Sequence, residues 1–197
     1  MKTILLILNF ALVLSLQTAR GTSIKPTTFG DSLALSTLPQ TPDHGGIVEM
    51  KYDGFTRETI VSLRKMSVSC AGVKGNFTDA CVYMAASLHC PGIQLDYVRH
   101  VNLQLIFETK NWGERHPLDQ RELTVVADNT TLRFGRMRLV SLTNVPMTEI
   151  LEIAVPYQMY KKIANAETVE MQVGKSRFQL REKNVAALRD LDNRVKL

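Results

Sequence analysis

The residues with the most chemical reach in this 197-residue chain are its three cysteines, Cys70, Cys81 and Cys90, together with His89 and His100. Nucleophilic catalysis needs a thiol or hydroxyl with a base held beside it. His89 directly precedes Cys90, but neighbours on a strand point to opposite faces, so the pair is poorly placed to cooperate. An inert, buried thiol is the favoured reading. A metal centre drawn from Cys70, Cys81, His89, Cys90 and His100 lacks the close paired spacing of structural zinc sites, and exported cysteines tend to be oxidised. No glycine-rich phosphate loop follows a strand and no Gly-x-Ser-x-Gly elbow occurs. The expectation is therefore no metal and no cofactor. Paired carboxylates cannot be located by spacing alone, so hydrolase chemistry stays open as an alternative.

As structural residues the cysteines say more. Cys81 and Cys90 bracket an unbroken apolar-rich stretch, VYMAASLH, which as a strand would hold the two sulfurs about 30 Å apart, far beyond bridging reach. Cys70 and Cys81 flank a turn-rich stretch, AGVKGNFTDA, and sit where two antiparallel strands would enter and leave a hairpin. A Cys70–Cys81 disulfide follows, stabilising by roughly 2–3 kcal/mol for a loop of that size. Cys90 is then left as a buried thiol.

Two surface features carry a recognition reading. The segment around Trp112 mixes aromatic and charged residues, Lys110, Trp112, Glu114, Arg115 and His116, as recognition surfaces do. The competing and favoured reading is that Trp112 caps the edge of the core while its neighbours stay solvated. The other feature is basic: Arg133, Arg136 and Arg138 on adjoining strand segments, and a stretch from Pro156 to Leu197 with nine Lys or Arg against five acids. A solvated face is favoured there over a site for an anionic polymer or an envelope protein.

The elements that position these residues are legible from periodicity. Met1 to about Gly21 reads as a cleavable secretory signal, with Lys2, an apolar run from Ile4 to Leu16 and a small-x-small exit at Ala19-Arg20-Gly21. That run is too short to span a bilayer, and no later segment approaches the length needed, so no transmembrane segment is expected after signal removal. Loss of Lys2 and Arg20 lowers the formal charge from +5 to +3, which does not suggest a nucleic-acid partner. Residues 22–46, rich in Ser, Thr, Pro and Gly, read as a flexible leader. Residues 47–197 read as one mainly β (α+β) domain: an antiparallel β-sandwich or bent sheet of about eight to nine strands, with a short helix near 156–165 and a C-terminal helix near 183–195. The clearest strand has Val101, Leu103, Leu105 and Phe107 facing one way and Asn102, Gln104 and Glu108 the other. Val185, Leu188, Leu191 and Val195 form the apolar stripe of the last helix, with Lys183, Asp190, Arg194 and Lys196 mainly elsewhere.

Several pieces resemble an uncharacterised family of exported bacterial proteins. They are Tyr52-Asp53-Gly54-Phe55 with the Thr-rich strand after it, Pro91-Gly92, Trp112, the Ala-Asp-Asn turn at 127–129, and the ending KIANAETVEMQVGKSRFQLREKNVAALRDL. The resemblance covers roughly residues 47–195. The chain departs from the pattern at Arg181, where such proteins tend to place a small capping residue, and in carrying three cysteines. It implies export, to the periplasm or outside the cell, and a mostly β architecture, and it implies no activity. In such a setting the glycosylation triplets at Asn76 and Asn129 are chance matches. Three functions remain: a non-catalytic interaction domain of unknown ligand, which leads; an extracytoplasmic hydrolase; and a structural envelope component.

Overall fold

The computed structural model describes residues 43–70, 81–95, 97–109, 116–144 and 147–195. The signal segment, most of the leader, the loop closed by the disulfide, and Lys110, Trp112, Glu114, Arg115 and Lys196 lie outside the described residues.

In chain order the strands are β1 (Val48–Asp53), β2 (Glu58–Ser69), β3 (Cys81–Pro91), β4 (His100–Thr109), β5 (Glu122–Ala127), β6 (Thr130–Arg136), β7 (Arg138–Asn144), β8 (Met147–Pro156), β9 (Val169–Val173) and β10 (Ser176–Leu180). Helix α1 (Tyr157–Ala164) follows β8, and helix α2 (Glu182–Asn193) follows β10. One sheet has six strands in the order β1-β2-β3-β4-β8-β7, the other four in the order β10-β9-β5-β6. Every ladder is antiparallel. The fold is thus the mainly β, sandwich-like α+β class expected.

Alternation accounts for the strands. In β3, Val82, Met84, Ala86, Leu88 and Cys90 face the core, and β4 contributes Val101, Leu103, Leu105 and Phe107. β2 is long enough to lose phase, and a bulge between Leu63 and Met66 restores it, so that Val61 and Leu63 before it and Met66 and Val68 after it all point inward. Both sheets contribute to one apolar cluster, in which Phe107 of β4 meets Phe178 of β10 edge-on at 6.2 Å between centroids. The disulfide joins Cys70, just after β2, to Cys81, the first residue of β3. Cys90 lies outside it and is buried.

Both helices are built into this core. α1 buries Tyr157, Tyr160, Ile163 and Ala164, and the Tyr160 hydroxyl donates to the Leu188 carbonyl of α2 at 2.8 Å. α2 buries Val185, Ala187, Leu188 and Leu191, with Val195 just beyond it. Asn184 takes over the capping that Arg181 cannot supply: its Oδ1 accepts the Arg181 backbone N–H at 3.1 Å, and its Nδ2 donates to the Ser67 carbonyl of β2 at 2.9 Å.

Two expectations are corrected. The strands number ten rather than eight or nine: Met137, buried and bonded through its N–H to the Arg121 carbonyl at 2.8 Å, separates β6 from β7 and marks the crossing from the four-stranded sheet to the six-stranded one. The end of the leader belongs to the fold, because His44 is buried with Nε2 3.5 Å from Asp190, and Gly46 lies where a Cβ would strike Ala187 and Leu63. Asp190, off the apolar stripe of α2, is buried by that contact, and Arg194 reaches its other oxygen at 3.4 Å.

Candidate functional site

Side chains that can recognise a ligand converge on the outward face of the six-stranded sheet, at the end where β2, β3 and β4 meet the 91–99 loop. Glu58 begins β2, His89 lies near the end of the outward-facing series of β3, and His100 and Asn102 occupy the corresponding face of β4. With Pro91, Tyr97 and Arg99 they line an open cleft of about 530 Å³. Its wall is held by local bonds. Gly92 adopts φ +77°, a conformation that favours glycine, which lets its N–H reach the Arg57 carbonyl at 2.8 Å while its own carbonyl accepts the Thr59 hydroxyl at 2.7 Å. The Tyr157 N–H donates to the Arg99 carbonyl at 2.9 Å, fixing the loop where it enters β4.

Within the cleft, His89 Nδ1 lies 3.2 Å from Glu58 Oε2, which orients the imidazole and leaves Nε2 as the nitrogen available to a ligand. Arg99 Nε donates to the Tyr97 hydroxyl at 2.8 Å, and its guanidinium carbon lies 5.2 Å from that ring's centroid. The polar face continues past the cleft. Glu152 of β8 accepts from Gln104 at 2.7 Å and from Arg138 at 2.5 Å. These bonds hold its carboxyl below the usual carboxylate range, the Gln104 bond contributing most.

A second constellation has the connectivity of a hydrolase relay. Ser176 Oγ lies 3.0 Å from His116 Nε2, and His116 Nδ1 lies 2.8 Å from Glu149 Oε2, the serine–histidine–carboxylate order. The His116 backbone N–H donates to the same carboxylate oxygen at 3.1 Å, and Arg121 Nη2 lies 3.7 Å from the other. Ser176 and His116 are 0% exposed and Glu149 only 2%, with the Phe107 ring 4.5 Å from the imidazole. The hydroxyl has no route to a substrate in this arrangement. What the relay does is join the sheets: Glu149 is on β8 of one, Ser176 on β10 of the other, and His116 bridges them.

The residues singled out by sequence thus fall apart. His116 is an interior residue, not part of a surface. Arg133 and Arg136 are exposed on β6, at the edge of the four-stranded sheet, whereas Arg138 is on β7, at the edge of the other, and is paired with Glu152. Trp112 and Arg115 lie outside the described residues. His89 and Cys90 do point to opposite faces, one exposed and one buried, as alternation requires. Among the described residues no group of three or more His, Cys, Asp or Glu is placed to hold a metal ion. Glu58, Tyr97 and Arg99 are not singled out from sequence, and Asn102 is read only as an outward strand position. Parity is the signal that could have placed Asn102: with His89 and His100 it falls on an outward strand position, but only the ladder register brings those positions side by side, and Tyr97 and Arg99 lie in the loop before β4, outside any strand parity.

No helix among the described residues is long and apolar enough to cross a membrane. Comparison with known proteins finds no matching family model, no similar curated protein and no similar solved structure.

Proposed function

We propose that the chain is a non-catalytic, exported binding domain and that the cleft between Glu58 and Asn102 is its ligand site. The observation that carries this reading is the convergence of Glu58, His89, Tyr97, Arg99, His100 and Asn102 on one open cleft, while the only serine–histidine–carboxylate relay among the described residues is enclosed. The Cys70–Cys81 disulfide supports an oxidising compartment, and with it the export that the resemblance to an exported bacterial family implies. Amide shift mapping of the ¹⁵N-labelled protein against a panel of sugars, organic acids and short peptides tests the site. Ligands that bind should perturb Glu58, His89, Arg99 and Asn102; binders whose shifts fall consistently elsewhere would dismiss the cleft.

One observation favours a second reading, the extracytoplasmic hydrolase, and that is the relay itself. It demands that Ser176 become accessible. A fluorophosphonate probe that labels Ser176 in the wild type but not in a His116→Ala protein would replace the binding reading with the hydrolase.

A further inference from the structure

Resting on the cleft as ligand site, we infer that its ligand is an acidic saccharide, a pyranose ring bearing a carboxylate, as in the uronic acid residues of a larger glycan. Arg99, His89 and His100 bring cationic or hydrogen-bond-donating groups to the cleft, against one carboxylate, that of Glu58, among the described lining residues. Among the described residues Arg99 forms no ion pair, and the bond from its Nε to Tyr97 fixes the plane of the guanidinium and leaves the terminal nitrogens for the ligand. A planar guanidinium held in this way matches a carboxylate by two parallel bonds.

The remaining lining selects a sugar. Glu58 accepts and Asn102 both donates and accepts, so together they suit neutral hydroxyls, and the negative charge of Glu58 repels a phosphate dianion more than a single carboxylate. Pro91 and the half-exposed ring of Tyr97 offer apolar surface to the C–H face of a pyranose. The volume of about 530 Å³ lies within the range of small-ligand sites, about 300–1,000 Å³. An extended peptide is a poor occupant. Strand addition needs an unpaired sheet edge, and β2, β3 and β4 are interior strands bonded on both sides.

The test is isothermal titration of the purified protein with trigalacturonate, its neutral methyl ester and galactose 6-phosphate, repeated on Arg99→Ala and Arg99→Lys. Arg99 is exposed, so both variants should fold, and circular dichroism checks that they do. The inference expects trigalacturonate to bind the wild type, with losses of about ten- to hundredfold for the ester and for Arg99→Ala, and partial rescue by Arg99→Lys. Equal binding of acid and ester, or tighter binding of the phosphate sugar, would overturn the acidic-sugar inference while leaving the cleft as the site. Failure of every saccharide would overturn it too, and the cleft falls with it if the acids and peptides of the shift-mapping panel also leave its amides unmoved. Trigalacturonate binding that ignores Arg99 and shifts residues elsewhere would overturn both.

Discussion

Two of the histidine–carboxylate pairs among the described residues are close in geometry and opposite in circumstance. His116 and Glu149, 2.8 Å apart, are sealed between the sheets; His89 and Glu58, 3.2 Å apart, stand in solvent on the outer face. Enclosure makes the first pair a structural obligation, because a buried carboxylate that loses its partner keeps the full cost of desolvation. Exposure makes the second pair nearly free of structural consequence, because water and salt screen it, and so leaves it to a ligand. Residue type and spacing are therefore poor guides to role here, and burial is the discriminating quantity.

The comparison breaks or sharpens most clearly at the buried pair. His116→Ala takes the imidazole from the buried Glu149, leaving it the backbone N–H of residue 116 and Arg121 at 3.7 Å, and should cost about 3–5 kcal/mol, a fall in melting temperature on the order of 6–20 °C for a domain of this size. A calorimetric midpoint unchanged by that substitution would show the pin to be solvated. Next in size, Leu188→Ala removes apolar packing from the same interior and should cost about 2–5 kcal/mol in urea unfolding, since Leu188 is fully buried. If it costs much less, α2 is loosely attached.

On the outer face the effects should be small, and one of them depends on pH. The carboxyl of Glu152 has a folded pKa below its unfolded value, through the bonds from Gln104 and Arg138, so its contribution is present above the unfolded pKa of about 4.3 and is lost as pH falls through the folded value. Urea melts of the wild type and Glu152→Gln should differ by about 1 kcal/mol or less at pH 7 and converge as pH falls through the folded value. A gap that widens in acid would mean the carboxyl is stabilised in its neutral form instead. Smallest of all, His89→Ala should change stability by less than about 1 kcal/mol while weakening any ligand of the cleft. A large loss of stability there would mean that the two pairs are alike after all.

What the sequence determined by itself is what local rules govern. Period-two alternation specified β4, an unbroken apolar run specified β3, helical spacing specified the stripe Val185, Leu188, Leu191 and Val195, and the length of a strand excluded a Cys81–Cys90 bridge in favour of Cys70–Cys81. Each of these depends on residues close in the chain. The tertiary structure alone decided that Met137 carries the chain from one sheet to the other, that His116 turns inward to meet Glu149 and Ser176, 33 and 60 residues away, and that Glu58, His89 and Asn102 become neighbours. Alternation states which face a side chain takes on its own strand, but not which strand lies beside it or what covers that face. Site and pin are both made by pairing across strands, and that pairing is set by the packing of the whole core.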